Sequence, residues 1–422
     1  MSADRLVEHV TCLGCGCSCD DVTVRVVQDH IVDVAPVCPV GRAWFGDGQV
    51  PSRVLSQGGP VTIEQAVERA AHRLAAAKGR CLVYLGLDLS TQAQGAATAL
   101  ADQLNAAVDC ATSDTAAAGL TTAQRRGRAS ATLGEIRNRG DVFLFWGVDP
   151  SDRYPRFLAR YSLEPAGIQV PEGRRGRYVI SASIGDDRGL GGADSTFALG
   201  PEEEITALTL MRASVSGNPV TAKSPLATRA AEVAQRLVGA RYAVLVHDAE
   251  PSAQQRNPLR VEALVALTQA LNGPTRASLC SLRGGGNRVG AESMLTWQTG
   301  YPFAVDYSLG YPRSQPQRRG LAGVASGRYQ ASLVVGAIPE EHALGFSGLS
   351  PILIGPRASS APFDTSVAID TGVAGIHDQG TAYRMDEVPL PLRPCLVGPR
   401  STVDVLESLA QAVQDRLNSG AR

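Results

Sequence analysis

The chain has 422 residues, 44% of them hydrophobic and 19% charged, a composition that excludes a disordered protein and calls for two or more packed units, because single cores stop growing below this length. Its 40 lysines and arginines nearly balance 41 aspartates and glutamates, which leaves no electrostatic case for nucleic acid or an anionic membrane surface as partner. The amino terminus "MSADRLVEHV" is charged and lacks a signal-peptide core, and no later stretch approaches the ~20 apolar residues that span a bilayer, so a cytoplasmic location is expected.

In chain order, the first module covers residues 1–55 and carries five of the nine cysteines. Cys12, Cys15, Cys17 and Cys19 lie within "TCLGCGCSCDDV", and Cys38 stands directly before Pro39. In a reducing compartment such clustering points to metal rather than to disulfides. The spacings Cys12 to Cys15 and Cys15 to Cys19 let turns aim three sulfurs at three corners of an iron–sulfur cubane, with Cys38 as the distant fourth. Four thiolates also make a closed zinc site, and free buried cysteines are the third reading. Cys17 is expected to point away from the others. Beyond the cysteines, Val22, Val24 and Val26 alternate as one face of a strand.

From Thr62 the period changes to that of a helix, with Thr62 and Gln65 as a capping box and Gly79 as the stop. Short apolar runs then alternate with amphipathic stretches. The runs fall at 81–88, 141–150, 176–185, 241–249, 331–339, 351–356 and 366–372, and helices are predicted at 94–106, 201–213, 225–239 and 258–272. This is the pattern of parallel sheets covered on both faces, divided between two α/β units. One unit is expected to be discontinuous, from 56–160 and 328–400, and the other to span 161–327, with a terminal helix at 401–422. Residues 281–327 break the rhythm and read as a long loop rich in glycine and aromatics, of the kind that lines a site or an interface.

Two sets of candidate binding residues follow. The turn "RGGGNRVG" offers Arg283, Gly284, Gly285, Gly286, Asn287 and Arg288 for close approach to a phosphate-like anion, although a glycine-rich surface loop without a ligand explains it equally well. Asp88, Gly147 and Asp149 end two apolar runs, where open α/β sheets bind cofactors, and helix capping accounts for the aspartates as well. The six histidines are scattered, and no HExxH, GxSxG or phosphate-binding P-loop motif is present, so a hydrolase or kinase has no residue to stand on.

Taken together, "CLGCGCSCDDV", "CPVGRAWF", "TLGEIRNRGDVFLFWGVDPSDRYPRF", "GGGNRVGAESMLTWQTGYPFAVDYSLGYPR" and "GTAYRMDEVPLPLRP" resemble the B subunit of formylmethanofuran dehydrogenase. Length and Ala/Arg/Gly-rich composition look most like its bacterial relative, the B subunit of the formyltransferase/hydrolase complex. The resemblance implies an α/β, molybdopterin-oxidoreductase-like fold (the first three domains of the formate dehydrogenase/DMSO reductase type), with Rossmann-like parallel sheets plus a small amino-terminal β module. It maps the cluster ligands onto Cys12, Cys15, Cys19 and Cys38 and makes Asp88, Gly147, Asp149 and Arg283 to Asn287 a vestigial pterin pocket.

The family's metal-ligating cysteine falls near Thr115, where this chain has neither cysteine nor histidine, and the nearest thiol, Cys110, is five residues away. A hydroxyl or methyl does not replace a soft thiolate on tungsten or molybdenum. A molybdenum or tungsten pterin is therefore expected to be absent, with no catalytic residue on this chain. The implied role is a non-redox component of tetrahydromethanopterin-linked one-carbon metabolism. It would dock three other components of the complex, the amidohydrolase-like A chain, the C chain and the formyltransferase D chain, together with a methanofuran-like carrier. The rival expectation is a working pterin-metal oxidoreductase. Trp297, Tyr301 and Phe303 either fill the old pterin cavity or serve as interface residues.

Overall fold

The computed structural model describes residues 4–112, 114–218, 220–221, 223–250, 259–318, 320–346 and 348–420. The chain opens with β1 (Arg5–Val10), β2 (Val22–Val27), β3 (His30–Ala35) and α1 (Pro39–Phe45), followed by β4 (Val54–Ser56), β5 (Gly59–Pro60), α2 (Ile63–Ala76), β6 (Cys81–Leu85), α3 (Thr91–Gln103) and β7 (Ala107–Cys110). Next come α4 (Asp114–Arg126), α5 (Leu133–Arg139), β8 (Val142–Trp146), β9 (Tyr178–Ile184), β10 (Ser195–Leu199), α6 (Glu204–Val215), α7 (Pro225–Val238), β11 (Ala243–Asp248), α8 (Leu259–Leu271) and β12 (Ala277–Leu282). The last third holds α9 (Arg288–Thr299), β13 (Val305–Asp306), β14 (Arg313–Ser314), α10 (Leu321–Ala325), β15 (Ala331–Val335), α11 (Glu340–Phe346), β16 (Ile352–Gly355), β17 (Val367–Asp370), β18 (Gly380–Tyr383), β19 (Pro389–Leu392) and α12 (Thr402–Gly420).

The chain forms two compact units, one of residues up to Thr112 and from Gly285 onward, the other Ser113–Gly284. In the first unit, β7, β6, β15, β16 and β17 lie parallel in that order, with β13 and β14 antiparallel beyond β7, and β4 and β5 beyond β17. The order reverses direction between β6 and β15, as in doubly wound sheets that bind ligands at that point. Helix α2 starts where the sequence places it: Thr62 Oγ1 accepts from Gln65 N at 3.3 Å and Gln65 Oε1 accepts from Thr62 N at 3.2 Å. Its apolar stripe Ala66, Val67, Ala70 and Leu74 is buried, together with Leu406 and Leu409 of α12 and Val83 and Leu333 of the sheet. Gly79, at φ +79°, turns the chain after the helix.

In the second unit, β10, β9, β8, β11 and β12 are all parallel, and the order reverses between β8 and β11. Leu237, Leu264 and Leu267 cover the face that carries Leu144 and Leu245, and Phe143, Phe145, Val244 and Val246 on the other face are buried as well, which is why the strands read as unbroken apolar runs.

Three boundaries differ from those drawn on the sequence. Strand β8, which a boundary at residue 160 assigns to the first α/β unit, is the central strand of the second, hydrogen-bonded to both β9 and β11. Residues 285–327 belong to the first unit. Within them, 288–299 is a helix instead of a loop, closed by Gly300 at φ +83°. Helix α12 is part of the first unit's core rather than an appendage, with Val405, Leu406, Leu409 and Val413 all buried.

Candidate metal centre

The cysteines occupy the loop from Val10 to Val22, the last paired residues of β1 and β2. The loop closes on itself through Cys12 N donating to Cys19 O at 2.9 Å and Ser18 N donating to Cys15 O at 3.1 Å. Cys38 caps α1: its sulfur accepts from Gly41 N at 3.4 Å, and Pro39 takes the first helical position, where no N–H is needed. Cys12 Sγ accepts from Gly14 N at 3.5 Å. Amide donors aimed at two sulfurs favour thiolates and tune any metal they hold.

Burial raises the Cys12 thiol above its ordinary range, the Gly14 amide pulls it back, and Cys15, Cys19 and Cys38 push it up again. These three thiols lie close enough to act on Cys12, and Cys17 is not among the groups that do. Gly41 keeps the space clear: a Cβ there would stand 3.1 Å from Cys12 Sγ and 3.8 Å from Cys38 Sγ. Among the described residues, no group of three or more His, Cys, Asp or Glu side chains is arranged to hold a single metal ion.

The loop is wedged into the rest of its unit by its backbone. Leu13 O accepts from Gly286 N at 2.8 Å, and Gly16 O accepts from Met385 N at 3.0 Å. Thr11 Oγ1 donates to Pro391 O at 2.9 Å. A Cβ on Gly285 would lie 2.1 Å from Leu13 O and 2.7 Å from Cys15 N. The glycine turn thus permits close approach, as expected, but what approaches it is the cysteine loop.

Asp88 sits beside this contact, in the left-handed region at φ +62°. Its N donates to Gly286 O at 2.9 Å, its O accepts from Ala374 N at 3.2 Å, and its carboxylate accepts from Trp44 Nε1 at 2.9 Å. Burial raises the Asp88 carboxyl above the usual range, while Trp44, Arg288 and Arg357 pull it back. Asn287 is spent internally: Nδ2 donates to Leu89 O at 2.9 Å and Oδ1 accepts from Tyr383 N at 2.7 Å. The point where the strand order reverses is closed by main chain, since Leu87 N donates to Ala337 O at 2.7 Å and Ala337 N to Leu87 O at 3.0 Å.

The other predicted binding residues belong to the second unit. Gly147, at φ +57°, follows β8 and would bring a Cβ within 2.9 Å of Ile184 Cδ1. Asp149 caps a local turn, accepting from Ser151 N at 3.0 Å. Arg283 is buried and donates through Nε to Glu250 Oε1 at 2.5 Å. Nearby, Arg153 Nη1 donates to Asp248 Oδ2 at 2.6 Å, and Arg260 pairs with Glu204 and, at 2.7 Å, with Asp187. The sequence holds no hint of this ion-pair network, because its members are far apart in the chain.

His247, at the end of β11, is buried with Nε2 2.8 Å from Ser281 Oγ. Burial, and then the charges of Arg260 and Arg283, lower its pKa from 6.5 to about 3. Below pH 6.5 the unfolded chain takes up a proton that the folded one refuses, so stability falls as pH falls from there toward 3. The loss is about 1.4 kcal/mol at pH 5.5. His247→Asn is expected to flatten the decline of the melting temperature between pH 7 and 5.5; an unchanged slope would assign it to other groups.

Thr115 lies in the first turn of α4, and its side chain is outside the described residues. Cys110 ends β7, buried, with its sulfur 3.1 Å from Thr112 Oγ1 and 3.8 Å from Pro302 O. Burial, then Asp109 and Glu292, raise this thiol, the opposite of what a metal-ligating thiolate needs. Tyr301 and Phe303 pack against the first unit's core, whereas Trp297 is 80% exposed on α9. Gly41, Trp44 and the β18–β19 hairpin are parts of the site that sequence reasoning misses. The one signal available for the first two is their place three and six residues after Cys38.

No family model matches the chain. It is 28% identical, over 98% of its length and 100% of the relative's, to the B subunit of tungsten-containing formylmethanofuran dehydrogenase 2 of Methanocaldococcus jannaschii. The same protein from Methanococcus maripaludis is 26% identical over 97% of this chain and 99% of its own length. The B subunit of the formyltransferase/hydrolase complex Fhc of Methylorubrum extorquens is 28% identical over 76% of this chain and 84% of its own length. A chain in the crystal structure of the M. extorquens formyltransferase/hydrolase complex with methylofuran superposes with a TM-score of 0.72 at 24% identity, covering 86% of this chain and 99% of that one. At that identity the likeness shows the fold, a mixed α/β fold with parallel sheets.

Proposed function

We propose that this chain, which is homologous to the B subunits of formylmethanofuran dehydrogenase and of the Fhc complex, serves as the non-redox B component of a cytoplasmic formyltransferase/hydrolase assembly. Its fold is then molybdopterin-oxidoreductase-like: two doubly wound sheets plus a cysteine-bearing β module. Its partners are the amidohydrolase-like A chain, the C chain, the formyltransferase D chain and a methanofuran-like carrier. The reaction sequence is tetrahydromethanopterin-linked one-carbon oxidation, and this chain contributes by positioning.

The observation that carries the non-redox reading is the filling of the glycine turn. The backbone approach that Gly285 and Gly286 permit is taken by Leu13 to Cys15, and both ends of the Asn287 amide are engaged. Arg283, a candidate for a pterin phosphate, is instead neutralised by Glu250. The residues present thus do not fit a pterin dinucleotide.

The thiols do fit a cluster. Cys12, Cys15, Cys19 and Cys38 would hold a [4Fe-4S] group, which when bound supplies one-electron transfer and four covalent ties. A cubane spreads its thiolates over separate irons, whereas zinc draws four sulfurs to ~2.3 Å from one point. Gly14 and Gly41 keep their amides on two of the sulfurs, and Trp44 ties α1 to Asp88.

A second reading, a working tungsten or molybdenum oxidoreductase, is favoured by one finding: the match to the tungsten-containing relatives runs over 98% and 97% of the chain, against 76% for the Fhc relative. Metal analysis of the purified native complex decides between them. Iron near four per chain with no tungsten or molybdenum is expected. Tungsten or molybdenum approaching one per chain overturns the non-redox reading.

A further inference from the structure

We propose that a cleft on the first unit, between α2, the turn after β4 and the start of β17, binds a small phosphate-bearing anion. The cleft has a volume of about 610 Å³, within the range of small-molecule sites. It lies where β15 and β17 begin, at Ala331 and Val367. That is the edge opposite the carboxyl ends of the parallel strands, and no cysteine lines it.

Its charge is one-sided. Arg69, His72 and Arg73 line it from α2, at the i, i+3 and i+4 spacing that puts side chains on one helix face. No carboxylate is among the lining residues. Arg69 and His72 make no ion pair among the described residues, and Arg73 makes one hydrogen bond, from Nη2 to Leu349 O at 3.1 Å. Arg73 Nε is shielded from solvent without a partner, and so is Ser366 Oγ, on the opposite wall. Compensation of the helix end accounts for Arg73, in the last turn of α2, but not for Arg69 a turn earlier.

Two guanidinium forks beside hydroxyl and amide groups form a donor set suited to phosphate oxygens. Ser56, Ser366 and Gln330 supply the neutral part. An adjoining hollow of about 550 Å³ shares Gln57, Arg73 and Ser366 with the cleft and continues past Thr365 and Asp364, the one carboxylate of its lining, to Phe363. It gives room for the organic remainder of a ligand, with an aromatic wall.

Pyrophosphate is the probe, titrated into the full chain at constant ionic strength and followed by calorimetry and thermal unfolding. Saturable binding is expected, weakened about tenfold or more in the Arg69→Gln/Arg73→Gln double variant, the loss expected for charge-assisted bonds. Arg416→Gln, which removes a surface pair with Glu68, leaves affinity unchanged. If the double variant fails to fold, Arg69→Gln alone serves, since this side chain is exposed. An equal effect of sulfate, no saturation, or an affinity untouched by the variants each overturns the site.

Discussion

Serine in place of Cys12, Cys15, Cys19 or Cys38 is expected to abolish iron binding and its visible absorbance, whereas Cys17→Ser retains both. The four named thiols share a neighbourhood in which Cys15, Cys19 and Cys38 push the Cys12 thiol up, and losing one sulfur opens a corner of the cubane. Cys17 is buried as Cys12, Cys15 and Cys19 are, and more deeply than Cys38, so burial does not single out the four. Iron content and absorbance of the variants purified without oxygen are the measurements. Equal loss of iron in Cys17→Ser would show that the ligand set is wrong, and iron retained in all four single variants would show that the site is not a cluster.

The second large effect is expected at Gly285. An alanine Cβ there meets only backbone, namely Leu13 O at 2.1 Å, Cys15 N at 2.7 Å and Gly14 C at 2.7 Å. Those atoms have little freedom to retreat, because Leu13 O is hydrogen-bonded to Gly286 N and the loop is closed by Cys12 N and Cys19 O. Overpacking against such a wall costs roughly 3 kcal/mol. Gly285→Ala should therefore lower the urea midpoint of the first unit and loosen the cysteine loop, with iron lost more readily to a chelator. Gly191, where a Cβ would meet nothing within 4 Å and φ is not positive, is the control, and alanine there should be nearly neutral. Equal midpoints for the two variants would contradict the wedge.

Much of the α/β pattern is legible because its strands are covered on both faces. "CLVYL" and "VFLFW" are buried end to end, which leaves no polar alternation to confuse the reading. β7 escapes notice because it has four residues and carries Asp109, whose carboxylate is used to hold Ala304 N and Leu321 N. Helix α9 is hidden by a glycine-rich entry and by Gly290, Thr296, Trp297 and Thr299, whose helix preference is weaker; packing against α3 overrides that preference, with Ala291 and Leu295 in the core. A division between units at residue 160 is misplaced because apolar runs do not say which strands they pair with. Pairing is a long-range property, and β8 finds β11 about a hundred residues away.

At the site, the gathering of the cysteines in one loop is readable from spacing, since sulfurs few residues apart have little choice of geometry. The role of the glycine turn is not. Three glycines announce that something comes close, and only the fold shows that the neighbour is Leu13 to Cys15. Likewise Asn287 looks like a ligand-binding residue in sequence and proves to be a bracket between Leu89 and Tyr383.

The insertion of Ser113–Gly284 into the first unit has a consequence in time. Cys19 leaves the ribosome early, whereas Met385, which hydrogen-bonds to Gly16, follows roughly 20 to 70 s later at about 5–20 residues per second. The second unit is contiguous and complete within that interval, while β6 still awaits β15 as its neighbour. The cysteine loop therefore spends most of synthesis unsheltered, exposed to oxidants. Its last shelter, around Met385 and Pro391, is made only shortly before the final helix.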